Sequence, residues 1–256
     1  MRNFFLACCL FLTTMTALAG PVPFEESQAE TSSYQNPRDL YTEWGYGPRE
    51  NWYNGMILNA VSDRWVDHDR PLSPMVFKAL VAVESSFRPN AISHTGAAGL
   101  VQLTPDTALR FKLPLAQRLD PSASLPVGVA VLQEKHRVIL EPGNYYGILL
   151  NRPEKRCPYG DKVQQAFDQI GLPEGESLWH LDLAAFNGGG GTIMRAMARA
   201  YDMGLDPRDW NQLVGTSAST SPLYYACRQI YKGGAANKYR EVAEYPEKIL
   251  GLPSRI

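Results

Sequence analysis

Cysteine is scarce in this chain, with four in 256 residues. None forms a Cys-x-x-Cys pair or stands at metal spacing from a histidine, so no zinc site is read from them. The four histidines, His68, His94, His136 and His180, make no His-Glu-x-x-His motif and read as surface or packing residues. An excess of positive charge is also lacking. There are 25 Lys and Arg against 26 Asp and Glu, a net charge of −1, which argues against a nucleic-acid partner. Strictly alternating apolar and polar runs are few, so almost no sheet is expected. No apolar run is long enough to span a bilayer. "GGGG" at 188–191 lacks the Lys-Ser/Thr of a phosphate-binding loop and any strand before it, and reads as a loop ahead of a helix. There are no internal repeats, and no cofactor or metal is implied.

What is present begins with an export signal. "MRNFFLACCLFLTTMTALAG" has Arg2 at its positive end, an apolar block at 4–12 and small residues "ALA" at 17–19. Cleavage near Ala19 places the chain in the periplasm or cell envelope. It removes one basic residue, leaving 24 against 26 and a net charge of −2. Residues 20–43 are polar, with Pro and Ser and no periodic stripe, and read as a flexible lead-in. Cys8 and Cys9 leave with the signal. Cys157 and Cys227 remain, and in an oxidising compartment a disulfide between them is the default, two buried free thiols being the other reading.

From residue 44 the chain reads helical, with enough apolar content for one sizeable core or a core plus a small lobe. Tyr53, Met56, Ile57, Ala60, Val61 and Trp65 form a stripe. Helices are predicted over 74–86, from Pro105 onward, and over 126–140, 161–170, 177–186, 191–203 and 222–231. Ser73–Pro74 and Thr104–Pro105 mark two starts. In "SPMVFKALVAVE", Phe77, Leu80, Val81 and Glu84 follow at i, i+3, i+4, i+7. The one carboxylate of this helix thus sits on its apolar stripe. A buried, unpaired carboxylate tends to take up a proton, and a carboxyl protonated near neutral pH is what a general acid requires. Periodicity alone equally allows a helix-end carboxylate satisfied by backbone amides. After it, Gly96 and Gly99 permit turns, and Ser93 and Gln102 are polar groups able to line a groove.

Three motifs, in order, resemble the lytic transglycosylases with a soluble-lytic-transglycosylase-type catalytic domain, relatives of goose-type lysozyme. They are "ESSFRPNAISHTGAAGLVQLTPDTA" at 84–108, "LAAFNGGGG" at 183–191 and "EVAEYPEKIL" at 241–250. The first is long and specific, the second less so, and the third carries nothing alone. The resemblance implies a mainly α, lysozyme-like domain with a glycan-binding groove, over about residues 72–250. It implies cleavage of the MurNAc-β-1,4-GlcNAc bond of peptidoglycan without water, giving 1,6-anhydro-MurNAc ends. Glu84 matches the single catalytic acid/base. Ser93 matches a serine assisting the N-acetyl group or the glutamate, Gln102 and Asn187 match sugar-contacting residues, and Tyr245 matches a tyrosine near the glutamate. Read without the resemblance, Asn187 is a turn residue and Tyr245 a helix-packing residue.

The chain departs from the pattern at Val101, where a Met is usual, and at Phe186, where a Tyr is usual; Gly188 and Gly190 replace Ala and Pro. Segments around 142–182 and 205–235 exceed what the compact family needs and are read as insertions within a 44–256 domain, stapled by Cys157–Cys227 at one end of the groove. Two other functions stay open. One is a hydrolytic muramidase needing a second carboxylate, for which Asp106 and Asp120 are near in sequence. The other is a weakly active peptidoglycan-binding envelope-assembly protein. The expected partners are glycan strands, and the chain is expected to be a monomer.

Overall fold

The computed structural model of the chain describes residues 34–255. The export signal, the position of its cleavage and residues 20–33 of the lead-in lie outside the described residues. Among the described residues there are eleven α-helices and no strand. They are α1 (Asn54–Arg64), α2 (Pro74–Ser85), α3 (Pro105–Arg110), α4 (Pro121–Leu140), α5 (Tyr145–Leu150), α6 (Pro158–Ile170), α7 (Gly175–Gly188), α8 (Gly190–Asp202), α9 (Trp210–Val214), α10 (Pro222–Tyr231) and α11 (Ala235–Leu250). The mainly α expectation holds. Extended pairing is limited to two isolated bridges, Ile92–Ala98 and Ala98–Leu103.

Four helices start the same way, with an oxygen-bearing cap followed by proline. Ser73 Oγ accepts from the Met75 amide at 3.2 Å, and Thr104 Oγ1 from Thr107 at 3.2 Å. Asp120 Oδ1 accepts from Ser122 at 2.9 Å, and Ser221 Oγ from Tyr224 at 3.0 Å. Each side chain satisfies an amide that has no partner within the helix, and each proline supplies a fixed φ where no amide is needed. The Asp120–Pro121 start puts the beginning of α4 five residues ahead of the expected 126, so Pro126 lies inside the helix. The glycine run is also not a loop. Gly188 ends α7, Gly189 breaks the backbone at φ +80°, and Gly190 begins α8.

Two apolar clusters form the core. The first joins α1 and α2 to the N-terminal half of α4 through Ile57, Phe77, Leu80, Leu125 and Leu132. The second gathers Val163, Phe167, Ile193, Met194, Met197, Trp210, Leu213 and Leu223 around α8. Three helices belong to both. Trp179 and Leu183 of α7 enter the first, and Leu181 and Ala184 the second. Likewise α11 gives Val242 to the second and Tyr245 and Ile249 to the first, while α4 divides between Leu132 and Val138. Helices buried on more than one side need apolar residues on several faces, and 178–185 supplies them except at His180 and Asp182, which are buried polar residues.

Two further sequence expectations change. Residues 34–43 are not a flexible lead-in. Leu40 is fully buried, and the buried Lys78 ammonium of α2 donates to Leu40 O at 2.5 Å, Thr42 Oγ1 at 2.7 Å and Asn51 Oδ1 at 2.8 Å. A buried ammonium needs acceptors for its three donors; this strap provides two and Asn51 the third. The Cys157–Cys227 bridge is not formed: both are buried free thiols. Cys157 lies just ahead of α6 beside Tyr145, and Cys227 sits in α10 facing Lys238 and Glu241 of α11. Both helices pack on α8, so the segments 142–182 and 205–235 are held by apolar contact.

Candidate active site

Glu84 occupies the last turn of α2. The helix stops at two successive left-handed residues, Ser86 (φ 51°) and Phe87 (φ 59°). Such a conformation is unfavourable for residues with a Cβ and persists only where the surroundings impose it. Here Phe87 is fully buried, the Ser86 amide donates to Ala82 O at 2.8 Å, and Arg49 Nε donates to Ser86 O at 3.0 Å. The turn carrying Glu84 is therefore fixed from both sides. The left-handed pair ends the helix at Ser85, one residue before the expected 86.

Across from Glu84 lies one face of α11. Lys238, Glu241 and Tyr245 stand at i, i+3, i+7, so all three point the same way. Tyr245, 5% exposed, donates its hydroxyl to Glu84 Oε1 at 2.5 Å across 161 positions of sequence. Glu241 Oε1 accepts from Lys238 Nζ at 2.9 Å and from Asn187 Nδ2 at 2.9 Å. Lys238 Nζ also donates to Asn187 Oδ1 at 3.1 Å and Asn187 O at 3.2 Å. Asn187 reaches this group because Gly188 lets α7 lie against α11: a Cβ there would stand 2.8 Å from Val242 Cγ2.

The electrostatics follow. Burial pushes the Glu84 carboxyl up to about 7; the Tyr245 hydrogen bond works against this, Glu241 adds to it, and Lys238 opposes it. The Tyr245 hydroxyl is pushed well above its ordinary value by burial and by Glu84, so it stays a donor. A protonated carboxyl on a rigid turn with one oxygen held by a phenol can deliver a proton near neutral pH.

The loop after α2 is built by its own polar groups. Gly99, at φ +83°, admits no other residue, since a Cβ would stand 1.8 Å from Arg118 O. Arg118 Nη1 in turn clamps Gly96 O at 2.7 Å and Leu103 O at 3.0 Å. Ser93 Oγ accepts from the Ala97 amide at 3.0 Å and lies 3.0 Å from Thr95 Oγ1. Gln102, itself at φ 46°, donates to Ala91 O at 3.2 Å and Gly99 O at 2.9 Å. These bonds shape the loop; none of the described ones runs from Ser93 or Gln102 to Glu84. Val101 is fully buried against Gly128, and Phe186 packs on the first cluster, so both departures are packing residues.

The structure thus joins Glu84, Tyr245 and Asn187 and adds Lys238 and Glu241. Glu241 lies within the third motif, which assigns it no role, and Lys238 lies just ahead of that motif; the spacing 238, 241, 245 is the sequence signal that links them to Tyr245. Asp106 is exposed in the first turn of α3 and Asp120 caps α4, so neither has a described bond to Glu84. Among the histidines, His68 and His94 are exposed, and His180 stacks on Trp210. His136 is more than a packing residue. It is buried between Asp182 Oδ2 at 2.7 Å from Nδ1 and Asp67 Oδ2 at 3.0 Å from Nε2, and stacks on Trp179. Burial alone would push His136 down, but the two carboxylates outweigh it and raise it.

Comparison with known proteins gives a consistent result. Residues 67–207 match the family described as Transglycosylase SLT domain. The chain is 29% identical over 172 residues to membrane-bound lytic murein transglycosylase F of Desulfosudis oleivorans, covering 67% of this chain and 30% of that protein. It is 30% identical over 157 residues to membrane-bound lytic murein transglycosylase F of Shewanella loihica, covering 61% and 26%. With membrane-bound lytic murein transglycosylase C of Sodalis glossinidius it shares 26% identity over 199 residues, covering 72% and 45%. The chain spans less than half the length of each of these relatives. The family match contains Glu84, Ser93, Gln102 and Asn187 and ends before α11.

Proposed function

This chain belongs to the Transglycosylase SLT domain family, and on that premise we propose that it is a peptidoglycan lytic transglycosylase. Glu84 is its general acid and then its general base. The carboxyl protonates the glycosidic oxygen as the bond from C1 of MurNAc breaks. The resulting carboxylate then takes the proton of the same sugar's 6-hydroxyl as O6 bonds to C1. No water is consumed, and the product carries a 1,6-anhydro end. One carboxyl serves both steps because the nucleophile belongs to the substrate, whereas hydrolysis needs a second group to act on water or on the sugar.

The observation that carries this reading is the state of Glu84, pushed up to about 7 by burial and held through Oε1 by Tyr245. That bond leaves Oε2 to carry the proton. Asn187, Gln102 and Ser93 are assigned to the glycan, and the loop 91–103 to one wall of its groove. Export with cleavage near Ala19, an envelope location and a monomeric state belong to the same reading. The relatives are named membrane-bound, and no helix among the described residues is long and apolar enough to cross a membrane. Residues 20–33 would then serve as a spacer from the envelope.

A second reading has an observation behind it. Glu241 is a further carboxyl close enough to act on Glu84 electrostatically, and a hydrolytic muramidase would use it on water. Mass spectrometry of soluble products from purified peptidoglycan separates the two, with Glu84→Gln as control. Anhydro-MurNAc ends lost in the variant are expected. Reducing MurNAc ends, heavier by one water, would move the assignment to Glu241 and hydrolysis. No release by the wild type would leave a binding role in envelope assembly.

A further inference from the structure

Lys238 is the one cation described as acting on both carboxyls of the site. Its ammonium has three protons, and three acceptors receive them: Asn187 Oδ1, Asn187 O and Glu241 Oε1. Because Asn187 Nδ2 returns to Glu241 Oε1, the three residues close a ring of hydrogen bonds spanning α7 and α11. The Lys238 side chain is 19% exposed, while that of Glu241 is 54% exposed. The remaining groups that face Lys238 are the Glu84 carboxyl from α2, the Tyr231 ring 5.9 Å from the ammonium, the Cys227 thiol from α10, and Tyr245 on its own helix. On α7 the other titratable contact to α11 is His180 with Glu247, further along the helix.

Two carboxyls that share a site compete for one proton unless their surroundings separate them. Glu84 is enclosed and bonded to a phenol; Glu241 is open to water and paired to an ammonium. We propose that Lys238 is a positioning residue of this active site: it ties the Glu241 carboxyl and the Asn187 amide into one unit on the face of α11 that carries Tyr245, so that its own charge and that of Glu241 act on the Glu84 proton in opposite directions. The proposal rests on the transglycosylase reading for the use of that proton, and on the hydrogen bonds among Lys238, Asn187 and Glu241 for the placement of the two charges.

The test is a carbon-13 NMR titration of the whole protein labelled at the glutamate side-chain carboxyls, with Glu84 and Glu241 assigned through Glu84→Gln and Glu241→Gln. The same proteins are assayed for the pH dependence of kcat/KM on purified peptidoglycan. Lys238→Met leaves Glu241 uncompensated, so the Glu84 midpoint rises, by about half a pH unit or more. Glu241→Gln leaves the ammonium uncompensated, so the midpoint falls. Lys238→Arg keeps the charge and restores the wild-type midpoint. The basic limb of kcat/KM moves with the midpoint in each protein. A purely structural lysine would lower rates without moving the midpoint in opposite directions. An unmoved midpoint in Lys238→Met, or shifts of the same sign in the Met and Gln variants, overturns the proposal. Should Lys238→Met fail to fold, Glu241→Gln decides, and a midpoint that ignores it is equally fatal. If the midpoints move as expected but the wild type releases no anhydro product, the activity reading fails and the assignment of Lys238 stands. If product forms and the midpoints stay still, the reverse holds.

Discussion

Replacing Glu84 by Gln should stabilise the folded chain, increasingly as the pH rises from 4.5 to 7. An ordinary glutamate loses its proton near 4.5, whereas Glu84 keeps it to about 7. Between these values the folded chain holds a proton that the unfolded chain has released. Where the native state binds more protons, stability falls as pH rises. The penalty is absent below 4.5, grows through the interval and is complete above 7. At 1.36 kcal/mol per pH unit, a difference of 2.5 units corresponds to about 3 kcal/mol. Gln has nearly the same shape and no charge to desolvate, and its amide oxygen can still accept from Tyr245. For a chain of this size about 3 kcal/mol is roughly 6–12 °C in Tm. Thermal melts of wild type and Glu84→Gln at pH 4 and pH 8.5 measure it. The expected result is coincident melting at pH 4 and a more stable variant at pH 8.5. A gap that does not change with pH, or a variant less stable than wild type at pH 8.5, would refute the claim that burial holds the proton on Glu84.

Three further outcomes follow from the same geometry. Tyr245→Phe removes the 2.5 Å bond that favours the ionised glutamate. Hydrogen bonds to charged groups contribute about 1.5–3 kcal/mol, so the Glu84 midpoint and the basic limb of the rate profile should rise by about 1–2 units; a fall would contradict the assignment. Gly99→Ala forces a Cβ onto Arg118 O at a positive φ, and should cost about 2 kcal/mol or more, seen as a lowered Tm together with slower product release. Lys78→Met strands three acceptors on residues 40–51 at about 1–3 kcal/mol for each buried one, and limited proteolysis should then cut the N-terminal strap ahead of the helical body.

Much of the helical layout could be read in advance because its causes are local. Ser73–Pro74 and Thr104–Pro105 start α2 and α3 through bonds that reach two or three residues. The Asp120–Pro121 start is of the same kind, although the apolar pattern by itself marks the helix only from 126. Glu84 stood out because helical periodicity puts a carboxyl on an apolar stripe, and the first motif pointed to the same residue. The disulfide was inferred from compartment alone, which says nothing about where two side chains point; the packing of α6 and α10 on α8 leaves each thiol in its own surroundings.

The sequence by itself determined where most helices begin, which face of each is apolar, and that Glu84 is the unusual carboxyl. Only the tertiary structure decided what Glu84 meets. Its hydroxyl partner is 161 positions away, and the Lys238–Glu241–Asn187 ring forms only when α7 and α11 pack through the contact of Gly188 with Val242. Caps and periodicity depend on neighbours a turn away along the chain. The proton affinity of a buried acid depends on every charge and dipole within several ångströms, and those are assembled by the closing of two apolar clusters.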